Sequence, residues 1–254
     1  VDMSQIMMAS IMMQMHMSKK SEPDEEMVRH MILNSLRMYR TRFLSEFGEM
    51  VLCYDSRHYW RRDYFPEYKH SRRKSRGTDD KNWDIIFNCL NTIKEEIKSN
   101  MPYKSVEVYG AEADDVIATL CSESSNEVMI LSGDKDFIQL QKFPNVKQYS
   151  PITKKMINGM NPDDYLKEHV LKGDTSDGVP NVLSPDNTFV DGIRQRPLSK
   201  KKIATMVEGD FPNDEVKRNY QRNKKLIDLT CSPDELRSEI LDTYKSAPVN
   251  DRSK

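Results

Sequence analysis

Three short runs of apolar, β-branched or aromatic residues, at positions 51–54, 106–109 and 128–131, are separated by stretches whose apolar residues recur three and four apart. Strand runs alternating with helical stretches are the pattern of an α/β fold with a central, mostly parallel sheet flanked by helices. Helices are expected at about 24–42, 83–99 and 114–122. Beyond Pro151 the strand signals fade, and helical patterns at 162–171, 199–207, 212–226 and 233–244 dominate. Residues 178–197 are rich in Gly, Pro, Asn, Asp and Ser and read as a loop. The expected organisation is an α/β domain over 1–150 and a helical lobe over 151–254.

Each strand run delivers acid at its C-terminal end. Asp55 follows the first; Glu112, Asp114 and Asp115 follow the second; Asp134 and Asp136 follow the third. The chain opens on Val1-Asp2 directly ahead of a helical pattern, which reads as a clipped strand bringing Asp2 to the same edge. In open α/β sheets that edge is the ligand crevice, so carboxylates distant in sequence meet there. Asp174 and Asp177, three apart in a Gly-Asp-Thr-Ser-Asp-Gly stretch, share a side if that turn is helical. A single acid at a strand end is ordinarily a helix cap or a solvated loop residue. Repetition at one edge points instead to a hard divalent cation, since so many carboxylates would otherwise repel. All-oxygen ligation favours Mg²⁺ or Mn²⁺ over zinc, and two ions about 4 Å apart suit in-line hydrolysis of a phosphodiester.

The net charge of −1 argues against binding nucleic acid through overall basicity. The cations are clustered, however. Arg57, Arg61, Arg62, Lys69, Arg72, Arg73, Lys74 and Arg76 stand against Asp63 and Glu67 alone in their segment, interleaved with Tyr59, Trp60, Tyr64, Phe65 and Tyr68. Basic side chains with interleaved aromatics fit tracking of a nucleic-acid strand better than a solvated helix face. Lys200, Lys201 and Lys202 form a second cluster. The methionines at 3–17 are expected to pack a helix, and the four scattered cysteines form neither a zinc site nor a disulfide framework. A soluble chain in a reducing cytoplasm is expected.

Glu112-Ala113-Asp114-Asp115, Gly133-Asp134-Lys135-Asp136-Phe137 and Gly173-Asp174-Thr175-Ser176-Asp177 resemble, in order and separation, the acid motifs of the flap endonuclease and 5′-3′ exonuclease family. Residues 61–72 look like the arch segment of that family, and residues 28–35 and 144–151 are similar to its T4-type phage branch. The resemblance implies a PIN/resolvase-like core, a helical arch at about 56–82 and a C-terminal helix-three-turn-helix lobe. It also implies an enzyme that cuts RNA from RNA–DNA hybrids, degrades duplex DNA from the 5′ end and cleaves 5′ flaps, removing primers in the cytoplasm of a phage-infected cell. Two Mg²⁺ ions, replaceable by Mn²⁺, are implied, the first among Asp2, Asp55, Glu112, Asp114, Asp134 and Asp136, the second nearer Asp115, Asp174 and Asp177. Lys69 and Arg72 are implied to meet the scissile phosphate and Tyr68 to stack on a base. Arg61, Arg62, Arg73, Lys200, Lys201 and Lys202 are the implied nucleic-acid contacts. A sliding clamp and a single-strand DNA-binding protein are implied partners.

The chain departs from the family after Gly178, where a longer loop replaces a glycine-rich hairpin that often holds a monovalent ion. A PIN-type ribonuclease shares the acid-lined core, but its domain is shorter and lacks the arch and helical lobe. A non-catalytic DNA-binding replication protein would explain the basic clusters but not the retained acids. A phosphatase with an aspartate nucleophile requires a second Asp where Ser4 stands.

Overall fold

The computed structural model describes the backbone of residues 1–79 and 81–250 and the side chains of the same residues apart from 73–75 and 78. The α/β order expected from the apolar runs is present. β1 (Val51–Cys53) pairs in parallel with β2 (Lys104–Val106), and β3 (Val128–Leu131) pairs in parallel with β4 (Val146–Ser150). β5 (Lys155–Ile157) then runs antiparallel to β4, so the sheet continues past the expected boundary at residue 150. The first two residues join the two halves. Cys53 N donates to Val1 O at 2.9 Å and Asp2 N donates to Leu131 O at 3.2 Å, which places Asp2 between β1 and β3.

Successive strand residues face opposite sides of a sheet, and here the two sides face different helices. Leu52, Tyr54, Leu131 and Tyr149 pack with α1 (Met3–Ser18), α2 (Glu25–Phe47) and α5 (Trp83–Asn100). Cys53, Ile130 and Val146 pack with α6 (Ala113–Glu123). The expected methionine helix is α1, with Met3, Met7 and Met15 in the core. The spacing of Val28, Ile32, Leu36 and Tyr39 gives α2 its single buried stripe. The side chains of Asp2, Asp24 and Asn82 cap α1, α2 and α5 by accepting from backbone N–H groups, each worth about 1 kcal/mol.

The arch segment folds as α3 (Trp60–Tyr64) and α4 (His70–Thr78). Its root, Phe65 and Tyr68, is buried against Val170, Val179, Leu226 and Ile227. The C-terminal half contributes α7 (Pro162–Lys172), α8 (Lys200–Val207), α9 (Asp214–Ile227) and α10 (Asp234–Ser246). α10 does not remain with that group. Leu236 and Ile240 return to the α6 face of the sheet, tying the end of the chain to its beginning. Among the described residues no helix is long and apolar enough to cross a membrane.

Candidate metal and phosphodiester site

Asp2, Asp55, Asp114, Asp134, Asp136, Asp174 and Asp177 line one cleft of about 840 Å³, together with Lys69 and Arg72. Local bonds fix most of these acids. Asp2 accepts from Gln5 N at 3.0 Å and from Ser132 Oγ at 2.8 Å, so one carboxylate both starts α1 and ties the sheet to it. Asp55 accepts from Ala113 N and Ser4 Oγ, both at 2.7 Å. Asp134 caps the 3-10 helix Lys135–Lys142, and its carbonyl accepts from buried Gln148 at 2.6 Å. Asp174 and Asp177 sit in a turn closed by reciprocal backbone bonds between Asp174 and Val179, 2.8 and 2.7 Å long. Only glycine fits at 173: with φ at +69°, a Cβ there would lie 2.3 Å from Val179 O.

Crowding of negative charge shows in the acid strengths. Burial pushes Asp2 up to about 6, with a further push from Asp55. Asp114 is raised well above the usual carboxylate range by burial and by Asp2 and Glu112. Asp136 and Asp177 are raised by burial as well, although His169 and the pair Lys69/Arg72, respectively, pull the other way. Charge that the protein does not neutralise is what a divalent cation would neutralise. The oxygen-rich donor set therefore fits the implied ions.

Beneath the cleft lies a second, compensated layer. Glu112, 2 % exposed, accepts from Arg61 at 2.9 Å, Tyr68 at 3.1 Å and Lys69 at 2.5 Å. Burial acts to raise its pKa, but Lys69 and Arg61 outweigh burial and hold it below the usual range. Asp115, fully buried, accepts from Arg61 at 2.8 Å and from Glu112 N at 3.0 Å, closing a capping box on α6.

This layer changes four expectations. Glu112, expected beside the first ion, does not line the cleft, because its oxygens are taken by Arg61, Tyr68 and Lys69. Asp115, expected near the second ion, does not line the cleft, and its oxygens are occupied by Arg61, Trp60 and the α6 backbone. Arg61 is 1 % exposed and cannot touch nucleic acid; two buried carboxylates hold it inward. Tyr68 is 3 % exposed and stacks on no base, since its ring is packed in the arch root and its hydroxyl donates to Glu112 and to Asp177, the latter at 2.7 Å. Lys69 and Arg72 do reach the cleft. Lys69 adopts φ +57° and its backbone N–H donates to Asp177 O at 2.7 Å, while Arg72 pairs with the Asp177 carboxylate and donates to Ser176 O at 3.1 Å.

The family described as "5′-3′ exonuclease, N-terminal resolvase-like domain" matches residues 3–170. The chain belongs to the 5′-3′ exonuclease family. Residues 162–254 match the family described as "T4 RNase H, C terminal". Ribonuclease H of Enterobacteria phage T4 is 34 % identical over 273 residues, covering 100 % of this chain and 88 % of the relative. Flap endonuclease Xni of Shewanella sp. (strain MR-4) is 29 % identical over 134 residues, 48 % of each chain. Among solved structures, a bacteriophage T5 D15 flap endonuclease in a pseudo-enzyme–product complex with DNA and metal ions has the same fold. Its TM-score is 0.63 at 15 % identity, covering 86 % of this chain and 91 % of that one.

For a 5′-3′ exonuclease the remaining cations are placed unevenly. Arg62 is half-buried, bonds Tyr59 Oη at 2.7 Å and lies over its ring. The side chain of Arg73 lies outside the described residues. Lys200, Lys201 and Lys202 are exposed in the first turn of α8. Two residues of the site escaped the sequence reading. Gln148 positions the Asp134 loop from inside the sheet, and His169 Nε2 stands 3.0 Å from Asp136. The one sequence signal for His169 was its place a helical turn ahead of Gly173-Asp174.

Proposed function

We propose that the chain is a 5′-nuclease that uses two divalent ions, Mg²⁺ with Mn²⁺ able to substitute. On this reading it acts on RNA–DNA hybrids, 5′-ended duplex DNA and 5′ flaps, and so removes RNA primers in phage replication. The observation that carries the proposal is the convergence of seven carboxylates from separate segments on one cleft faced by Lys69 and Arg72. Asp2, Asp55, Asp114 and Asp134 would hold one ion, and Asp136, Asp174 and Asp177 the other. When bound, the ions supply the positive charge that admits a phosphate to an acid-lined cleft and polarises it.

The chain's own groups do the rest. Lys69 and Arg72 present cations to the scissile phosphate, where charge grows in the transition state. Glu112 and Tyr68 hold that apparatus from below, Glu112 through Lys69 and Tyr68 through Asp177. We assign duplex contacts to Arg62, Arg73 and the lysines of α8, and read residues 1–150 as the catalytic part and 151–254 as the DNA-binding part, which also lends Asp174 and Asp177 to the cleft. Three lysines at the N-terminal end of α8, with no acid in its first turn, oppose the helix dipole. A phosphate accounts for that placement better than helix stability does. The relative named Ribonuclease H, from Enterobacteria phage T4, is consistent with primer removal in phage replication, for which a sliding clamp and a single-strand DNA-binding protein are the proposed partners. Digestion of end-labelled hybrid, nicked duplex and flap substrates, with Mg²⁺ and with EDTA, tests the reading. Short 5′ products that vanish with EDTA are expected; undiminished cleavage in EDTA would overturn it.

A further inference from the structure

His169 occupies the last turn of α7, and the imidazole faces the cleft acids rather than solvent. Its Nε2 is buried and stands 3.0 Å from Asp136 Oδ1. The contact does not meet hydrogen-bond geometry, so among the described residues Nε2 has no hydrogen-bond partner. One ligand atom each of Asp136, His169 and Asp174 lie within 4.8 Å of one another. The ring also packs with Tyr165, their centroids 5.6 Å apart and their planes tilted by 30°. The Gly173 turn fixes Asp174 directly after the helix that carries His169. Three donors are thus held by three rigid elements: a 3-10 helix, an α-helix and a glycine-locked turn.

We propose that His169 Nε2 is a metal ligand, joining Asp136 and Asp174 in a mixed nitrogen and oxygen site for one of the divalent ions. The proposal deepens the two-ion reading above and rests on it. Its chemical consequence is selectivity. Mg²⁺ prefers oxygen donors and retains water, whereas an imidazole nitrogen favours first-row transition ions. The His169 position therefore prefers Mn²⁺ to Mg²⁺ more strongly than the all-carboxylate position formed by Asp2, Asp55, Asp114 and Asp134. A histidine that merely neutralised Asp136 would be protonated and would offer no lone pair.

Mn²⁺ alone, added to the full chain without nucleic acid, is the probe. Continuous-wave EPR counts bound ions, and pulsed EPR detects ¹⁴N coupled to bound Mn²⁺. The wild type should bind two ions and show ¹⁴N coupling. His169→Gln should lose the coupling, weaken one site for Mn²⁺ by about tenfold or more, and bind Mg²⁺ with less than about threefold change. His169→Asn is made in parallel, with thermal melting to show that at least one variant is folded. Two bound ions without ¹⁴N coupling, or coupling that survives in a folded variant, would overturn the His169 proposal and leave the two-ion reading standing. Failure of the wild type to bind Mn²⁺, or binding unaffected by Asp134→Asn, would overturn the two-ion reading and this proposal with it.

Discussion

Arg61 and Lys69 belong to one basic segment and bond the two oxygens of one carboxylate, yet they stand in opposite situations. Arg61 reaches Glu112 Oε2 from below with 1 % of its side chain exposed, and it also neutralises Asp115. Lys69 reaches Glu112 Oε1 from the cleft side with 15 % exposed and looks onto the other acids. The lesson is that a charge run in sequence has two functions here. One cation keeps buried acids tolerable, and the other is presented to substrate. Removing each should separate stability from catalysis.

Arg61→Ala should produce the largest effect. It leaves Glu112 and Asp115 buried without their shared guanidinium, and breaking a buried pair in this way typically costs about 3–5 kcal/mol. Chemical denaturation of the metal-free protein measures it. A loss below about 1 kcal/mol would show that Lys69 and Tyr68 suffice for Glu112, and the contrast between the two cations would collapse.

Lys69→Ala should leave Glu112 bonded to Arg61 and Tyr68, so the fold is expected to persist while single-turnover cleavage falls by at least about tenfold. A lost transition-state donor commonly costs about 10²- to 10³-fold. Arg72→Ala should behave similarly with a smaller loss, because its side chain is 45 % exposed. Both are read at saturating enzyme; a defect confined to affinity would make these residues positioning groups for the substrate.

How far this contrast was legible in the sequence depends on what the pattern encodes. Acids at strand ends were readable because sheet topology sends them to one edge whatever the details of packing. Asp115 was misplaced because its neighbours share that edge, although Glu112-Ala113-Asp114-Asp115 also has the spacing of a capping box, which turns Asp115 back to the helix start. Arg61 and Tyr68 were read as solvent-facing because composition reports charge but not which members of a run turn inward. Their spacing with Phe65, four and then three residues, was the available clue to a shared buried side. β4 was missed because Lys147 and Gln148 interrupt its apolar pattern, and Gln148 is buried by virtue of donating to Ser132 O and Asp134 O and accepting from Gln141. Such a bond is a tertiary fact with no local signature.

Asp2 supplies the counter-case to Glu112: a buried carboxylate that among the described residues has no side-chain cation bonded to it, and a pKa raised to about 6 by burial. A raised acid means that the folded state binds more protons than the unfolded state between about pH 4 and pH 6, so stability falls as pH rises through that window. Asn caps a helix as well as Asp does. Asp2→Asn should therefore stabilise the metal-free protein at pH 7, by up to about 3 kcal/mol, and the gain should vanish near pH 4. Melting of both proteins at the two pH values, in EDTA, checks it; equal stability at pH 7 would mean that Asp2 carries no net burial penalty.

The mildest test extends the contrast to cations with no acid at all. Lys200, Lys201 and Lys202 are exposed at the start of α8, and among the described residues none of them forms an ion pair. Unlike Arg61 they neutralise nothing in the protein, and unlike Lys69 they lie outside the acid-lined cleft. Their proposed partner is the phosphate backbone of duplex, which carries no sequence information. Replacing all three with alanine should leave melting unchanged or slightly improved, since cations at the positive end of a helix are unfavourable by a few tenths of a kcal/mol each. Duplex binding should weaken equally for every sequence, and the log-log salt slope should flatten by up to about 0.9 per lost phosphate contact. Cleavage of bound substrate should persist at saturating enzyme, because the acids, Lys69 and Arg72 are untouched. Fluorescence titrations across a salt series decide the matter: an unchanged slope and affinity would mean that this helix does not meet DNA, and that the cations committed to nucleic acid are confined to the arch.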